Sequence, residues 1–219
     1  MKRFCACVVL LAGVLCSYAQ NDQTEIQLEG DYLSVQVNEL VRQIFSLGST
    51  SSPANPYFIN YTHTSASGSG LSVGLGYTKN KFSSSDQFNN ITTNINDLAI
   101  RVGYDKKRRL SKKFVCSFGF DLTVDAQKNE TVSEDSFSSQ TVTTTDKVSG
   151  WGVGPRFTFH YFITENIMVG TEANYYYKDL KEKFSVDFSG GSSGDEERET
   201  GISRFTFSAP AILWLSIRL

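Results

Sequence analysis

Residues 204–219, RFTFSAPAILWLSIRL, carry the pattern that decides the fold. Every second residue from Phe205 to Leu219 is apolar, and the residues between them are mostly polar and are bracketed by Arg204 and Arg218. Successive side chains of a β-strand point to opposite faces of the sheet. This period of two therefore predicts a strand with one apolar face and one polar face.

The same alternation recurs along the rest of the chain. Five further segments show it clearly, and they begin at Leu71, Leu98, Phe114, Trp151 and Ile167. Two shorter segments, at residues 33–37 and 57–62, are read as the first two strands. Residues 39–45 are compatible with either a strand or an amphipathic helical turn. The sequence thus predicts eight strands.

The connections between these strands fall into two classes. Three are short, at residues 65–69, 106–112 and 164–166. Four are long, polar and rich in Ser, Thr, Asn and Gly, at residues 47–56, 83–96, 127–147 and 187–200. The two classes alternate along the chain, as short periplasmic turns and longer extracellular loops do in outer-membrane barrels. We therefore expect an all-β fold, a single eight-stranded antiparallel transmembrane up-and-down barrel with four longer extracellular loops.

The N-terminus has the layout of a secretory signal. Lys2 and Arg3 precede an apolar run at residues 5–15, and Ser17-Tyr18-Ala19 follows it. The run is shorter than the roughly 20 residues of a membrane-spanning helix. We expect cleavage after Ala19, which gives a signal peptide at residues 1–19 and an outer-membrane barrel domain at residues 20–219.

The composition excludes several classes of protein. Without Lys2 and Arg3, 19 of the 21 basic residues remain against 23 acidic ones, and so mild an acidic balance disfavours nucleic acid as a partner. Cys116 is the one cysteine beyond the predicted signal peptide, so an internal disulfide is not expected. No phosphate-binding glycine loop, CxxC, HExxH or calcium-loop motif occurs, and we expect no metal and no cofactor.

The polar faces of the strands carry charges among glycines, threonines and asparagines. In a barrel these faces line the lumen, where eight strands leave room for little more than side chains. Charges in so narrow a space are expected to pair with one another. The predicted lumen network consists of Arg101, Asp121, Arg156, Glu172, Arg204 and Arg218. A secreted soluble β-barrel or sandwich that binds a small ligand is the alternative reading of the same alternation.

A family resemblance rests on three stretches of the sequence. These are the Ala19-Gln20 cleavage site, LAIRVGYDKKRRLSKKF at residues 98–114, and AILWLSIRL at residues 211–219. Together they resemble the small porin-like outer-membrane β-barrels of Bacteroidota-type bacteria. The resemblance implies location in the outer membrane, contact with its lipid and no catalytic motif.

The function is less constrained than the fold. The charged lumen is expected to be a plug, with a narrow pore for small polar solutes as the alternative. The histidines, His63 and His160, fall next to predicted short turns and have no carboxylate at a fixed short spacing, so no catalytic set is assigned and the chain is not expected to be an enzyme. A structural or surface-interaction role is expected, with a surface ligand at loops 127–147 and 187–200 and a monomeric barrel.

Overall fold

The computed structural model describes residues 27–37, 57–85, 89–135, 140–189 and 196–219. The predicted signal peptide at residues 1–19, the segment at 39–45 and the predicted loop at 47–56 lie outside these ranges. No helix among the described residues is long and apolar enough to cross a bilayer.

Eight antiparallel strands account for nearly all of the described chain. They are β1 Gly30–Gln36, β2 Tyr57–Thr64, β3 Ser69–Ser85, β4 Asn89–Arg109, β5 Phe114–Asp135, β6 Thr141–Phe162, β7 Ile167–Ser189 and β8 Glu196–Arg218. Each strand pairs with the next one in sequence, and β1 pairs with β8, so the sheet closes into a barrel. The closing register runs from Tyr32 opposite Arg218 to Gln36 opposite Trp214. The predicted eight-stranded up-and-down barrel is confirmed.

One end of the barrel, the turn end, carries the short connections. The first of these turns is closed by a hydrogen bond from the Ser65 amide to the Ser69 carbonyl, at 2.8 Å, and Gly68 in it has a φ of 78°. That left-handed conformation favours glycine because it has no Cβ. The β1–β8 closure also lies at this end, where the Leu219 amide donates to the Asp31 carbonyl at 2.9 Å.

The predicted turn at residues 106–112 is shorter than expected. β4 continues to Arg109, and Lys107, which lies within the predicted turn, is a buried strand residue. The alternation of β4 does not stop at Asp105, so Lys107 lies on the same inward face as Arg101 and Asp105. A run of basic residues resembles a solvated turn in sequence, but the hydrogen-bonded ladder with β5 extends through it.

At the opposite end, the loop end, three predicted long loops are largely strand. β3 extends to Ser85, β4 begins at Asn89, and β5, β6, β7 and β8 pair through most of residues 127–147 and 187–200. The predicted bounds of these loops are wrong, because strands occupy most of the residues assigned to them. Polar residues pair as well as apolar ones through the backbone, and Thr and Val, which are frequent in residues 127–147, favour strands. We call these paired parts of β3–β8 beyond the apolar exterior the extension.

The outer surface of the barrel is an apolar band. In β5 the outward residues from 114 to 124 include Phe118, Phe120, Leu122 and Val124, each at least half exposed. The inward residues of the same strand include Ser117, Asp121 and Thr123, all buried. The distribution is thus the reverse of that in a water-soluble protein, since the large apolar side chains face outward and the polar ones face inward.

The extension has the opposite distribution. Most of its outward positions are polar or charged, for example Lys79, Thr92 and Lys147, whereas its inward positions include the partly exposed Ile91 and Phe184. On β3 the outward side chains change from apolar to polar just beyond Tyr77, and the neighbouring strands show the same change. The apolar exterior is therefore a belt of limited height.

Candidate functional site

The barrel interior holds a compact ion-pair cluster, the central cluster, formed by Arg101, Asp121, Arg156 and Glu172. These residues come from β4, β5, β6 and β7, and each is at most 5% exposed. Arg101 Nη1 donates to Glu172 Oε1 at 2.6 Å and lies 3.9 Å from Asp121 Oδ2. Arg156 Nε lies 3.3 Å from Asp121 Oδ2, and Arg156 Nη1 lies 3.9 Å from Glu172 Oε2. Each arginine thus lies near both carboxylates.

Neutral polar groups complete this cluster. The Tyr176 hydroxyl donates to Asp121 Oδ2 at 2.6 Å, and Asn174 Nδ2 donates to Glu172 Oε1 at 3.3 Å. Arg156 Nη2 donates to the Ser72 hydroxyl at 3.1 Å. Two arginines balance two carboxylates, so the cluster carries no net charge. Such compensation is what a buried set of ions requires, because the cost of removing each charge from water is offset by its partners.

Gly103 gives Asp121 the space that it occupies. A Cβ at position 103 would lie 2.0 Å from Asp121 Oδ1 and 3.0 Å from the Ser72 hydroxyl. Position 103 faces Asp121 directly across the β4–β5 ladder. The carboxylate therefore fits into the lumen because its cross-strand neighbour has no side chain.

Two aromatic rings flank Arg101. The centroids of the Phe58 and Trp214 rings each lie 5.6 Å from the guanidinium carbon, a distance typical of cation–π contacts. Sequence reasoning did not assign either ring to the network, although Trp214 falls on the polar face of β8. A large aromatic residue at a lumen-facing position is the signal that could have identified it.

Arg204 and Arg218, the other two arginines of the predicted network, lie outside the central cluster. Arg204 is exposed near the loop end, and Arg218 lies at the turn end, where its Nη1 is 3.4 Å from the Gln27 carbonyl. Both belong to β8, but Arg204 pairs with Lys178, six residues beyond Glu172 along β7, and Arg218 is the last residue of the strand, so neither lies at the level of the cluster. Membership of the same strand face did not imply proximity, and the prediction that they join the network is corrected.

A second layer lies between the central cluster and the turn end. Lys107 Nζ donates to the Thr64 hydroxyl at 2.7 Å and lies 4.1 Å from the centroid of the Tyr32 ring. Below it, Tyr32, Val115, Phe162 and Met168 form a buried apolar cluster, which we call the turn-end plug. Ion pairs thus occupy the middle of the lumen, and apolar side chains cluster at its turn end.

A small cavity lies between these layers, lined by residues that include Arg101, Lys107, Arg156, His160 and Glu172. The space open to the centres of water-sized molecules is about 30 Å³. About 10–15 Å³ of such space holds one water, so this cavity has room for two or three waters.

The two histidines occupy unrelated positions. His160 lines the interior cavity, whereas His63 is on the outer surface, where its Nδ1 lies 2.8 Å from Asp31 Oδ1. The Tyr61 hydroxyl donates to the same oxygen at 2.7 Å. No carboxylate is close to His63 along the chain, and this contact arises across the β1–β2 ladder. No group of three or more His, Cys, Asp or Glu residues among the described ranges is arranged to hold a metal ion.

The geometry defines a class of protein: a closed antiparallel β-barrel with an apolar exterior and a compensated charged interior. No protein-family model matches the sequence, and no curated protein matches it. Among solved structures, the chain is similar to that of CarO from Acinetobacter baumannii, with 10% identity, a TM-score of 0.40, and coverage of 90% of this chain and 100% of that one. It is also similar to Acinetobacter baumannii CarO2, with 8% identity, a TM-score of 0.41, and coverage of 87% and 97%.

Proposed function

We propose that this chain is an integral outer-membrane barrel with a lumen closed by its own side chains, and that its role is structural or surface-interacting through the extension. The observation that carries the proposal is the reversed distribution of polarity, with Phe118, Phe120 and Leu122 outside and Arg101 and Asp121 inside. In water, so large an exposed apolar surface would promote aggregation. In a bilayer it contacts lipid tails, and the closed ladder leaves no unpaired sheet edge within the hydrocarbon.

The height of the apolar band supports the membrane location. The outward apolar residues of β5 occupy residues 114–124. At about 3.4 Å per residue and a tilt of about 40°, this length spans about 26 Å along the barrel axis. The apolar band of transmembrane barrels is about 25 Å tall. A soluble barrel has no physical reason to stop its apolar exterior at that height.

Aromatic side chains near both edges of the band support the same location. Trp151 and Tyr177 pack at 6.1 Å between ring centroids toward the loop end, and Phe114 and Tyr161 pack at 4.9 Å toward the turn end. Aromatic girdles of this kind lie at the two interfaces of a bilayer. We place the turn end in the periplasm and the extension outside the cell.

Localisation is tested by fractionation and by gel mobility. We expect the full chain to sediment with outer membranes, to resist carbonate extraction, and to require detergent for release. Without boiling, the folded barrel should migrate faster than the heated chain. Release into the soluble periplasmic fraction without detergent would contradict the proposal and favour the soluble β-protein.

The closed lumen is tested by conductance. We propose that the neutral central cluster and the turn-end plug together close the lumen, so the purified barrel in a planar bilayer should give no steady conductance steps. The alternative function is a narrow pore for small polar solutes, and the polar cavity beside Arg156 and Glu172 is the observation that favours it. Regular steps in the native chain that change in Arg156→Ala or Glu172→Ala would support the pore, provided that both variants remain folded.

The extension is the proposed site of surface interaction, and its parts at residues 127–147 and 187–200 are the proposed binding regions for a ligand. Paired strands display side chains in fixed positions, which makes the extension a more rigid surface than irregular loops. We propose that the barrel acts as a monomer. Loss of cell-surface binding after shortening of the extension, with the barrel still folded, would support the interaction role, whereas unchanged binding would contradict it.

A further inference from the structure

Four lysines form one row across the outer face of the extension, which we call the lysine row. Lys79 pairs with Asn96, Asn96 with Lys128, Lys128 with Lys147, and Lys147 with Lys183. The row therefore crosses β3–β7 along a single line of directly opposed residues. Lys128, Lys147 and Lys183 are directly opposed to one another on adjacent strands.

This arrangement has an electrostatic cost that the barrel compensates only in part. Like charges directly opposite in a sheet are destabilising. Lys128 pairs with Glu130 at 2.5 Å, and Lys183 pairs with Glu197, which raises the pKa of Lys183. Among the residues that the structure describes, neither Lys79 nor Lys147 has an ion-pair partner. Glu199 also lies directly opposite Lys183, at the β8 end of the row. Within the described residues, the lysines of the row without an ion pair are thus Lys79 and Lys147, and Lys147 lies between two other lysines.

The distance between the lysine row and the apolar band identifies the part of the membrane that the row would contact. The next outward row toward the band contains Tyr77 and Leu98, both more than 40% exposed. Lys79 lies two residues beyond Tyr77, and Lys147 lies four residues beyond Trp151, the first exposed apolar residue of β6. At about 3.4 Å per residue these separations are about 7 Å and about 14 Å along the strands. If the band is in hydrocarbon, the long side chains of Lys79 and Lys147 reach the lipid headgroups of the loop-side leaflet.

We propose that the lysine row is a binding site for the phosphorylated headgroups of lipids in the loop-side leaflet, centred on Lys147 and extended by Lys79. This inference rests on the proposed membrane location. A phosphate matches the site because lysine binds phosphate as a compact point charge, and the side-chain amide of Asn96 lies between Lys79 and Lys128 as an additional donor. Basic residues adjacent to a membrane bind anionic headgroups in this way. The bound phosphates supply the negative charge that the row lacks.

The test uses Lys79→Gln/Lys147→Gln in the full mature chain, because this double variant leaves both ion pairs of the row intact. The matched control is Lys112→Gln/Lys113→Gln, which removes the same charge at the turn end. Each protein is refolded in octyl glucoside, and binding of dioleoyl phosphatidic acid is measured by native mass spectrometry. Dioleoylglycerol, with the same acyl chains and no phosphate, is the lipid control.

We expect the lysine-row variant to bind phosphatidic acid about tenfold more weakly than the native chain. The turn-end control should change by less than about twofold, and dioleoylglycerol should bind all three proteins equally. Equal phosphatidic acid binding by the native chain and the lysine-row variant overturns the inference, as does an equal loss in the turn-end control. Full displacement by millimolar inorganic phosphate assigns the site to a free anion and also overturns it.

Gel mobility without boiling separates this inference from the proposed function. If the native chain and both variants show the fast folded form and insert into vesicles, the binding comparison decides the lipid site alone. If the native chain fails to insert, the proposed membrane location is wrong and the lipid site is rejected with it.

Discussion

At the scale of residues, the interior depends on mutual compensation. Arg101 and Arg156 each contact both Asp121 and Glu172, and all four are withdrawn from water. Charges buried in this way stabilise a fold only as a complete set, because the loss of one partner leaves another charge unpaired. The lumen is therefore sensitive to single substitutions that would be harmless on the surface.

Glu172→Ala should destabilise the barrel strongly. It removes the acceptor of the 2.6 Å bond from Arg101 and leaves two buried arginines with one carboxylate. We expect a loss of about 3–5 kcal/mol, measured by urea unfolding in lipid vesicles. The control is Glu130→Ala, which removes a more exposed pair with Lys128 and should cost less than about 1 kcal/mol. Equal unfolding midpoints for the two variants would show that the central cluster contributes no stability.

Gly103→Ala tests the space that Asp121 requires. The added Cβ would lie 2.0 Å from Asp121 Oδ1, so the carboxylate must move away from its arginines, and we expect a loss of about 1–3 kcal/mol in the same assay. Gly201→Ala is the matched strand control, because no atom lies within 4 Å of its Cβ position. A smaller effect at position 103 than at position 201 would contradict the packing described here.

At the scale of elements, the long strands have two parts, one that closes the barrel and one that forms the extension. β1 and β2 are short, whereas β4–β8 are far longer than a bilayer crossing requires. The residues within the apolar band close the barrel, and the residues beyond it form only the extension. The extension should therefore be removable without loss of the barrel.

Replacing residues 131–144 by Asn-Gly tests this separation. Glu130 and Thr145 are opposed in the β5–β6 register, so a two-residue turn can join them. We expect the shortened chain to keep its fast gel mobility without boiling. The control removes the same number of residues from within the band, 118–124 and 151–157, and should abolish the folded form. If the shortened extension also abolished folding, the two parts would form one cooperative unit.

At the scale of the whole molecule, each face of the wall meets a different medium. The two tryptophans of the chain sample both faces, since Trp151 is 43% exposed on the apolar exterior and Trp214 is 4% exposed in the lumen. They therefore report independently on which face of the barrel contacts lipid.

Brominated lipids should quench Trp151 and leave Trp214 nearly unaffected. Trp214→Phe isolates the first signal and Trp151→Phe isolates the second, with emission measured in vesicles of brominated and unbrominated phosphatidylcholine. Bromine on the acyl chains quenches indole rings that touch the hydrocarbon, and Trp214 is separated from lipid by the barrel wall. Equal quenching of the two variants would contradict the inside–outside assignment.

The sequence by itself determined the strand number, the faces of the strands and the closure of the barrel. A polarity pattern that repeats every two residues shows directly which side chains share a face. The alternation of short and long connections gives the order of the strands. It also predicted that Arg101, Asp121, Arg156 and Glu172 face inward. It misjudged residues 127–147 and 187–200, because polar side chains do not indicate whether the backbone is paired.

Only the tertiary structure decided which inward residues meet. Strand face is a local property, but contact depends on register and on position along the barrel axis, so Arg204 and Arg218 share a face with the network and lie far from it. The burial of Lys107 and the contact of Asp31 with His63 likewise depend on how the strands pair. The lysine row likewise arises from register, because its members are scattered in sequence and become neighbours only when the sheet is paired.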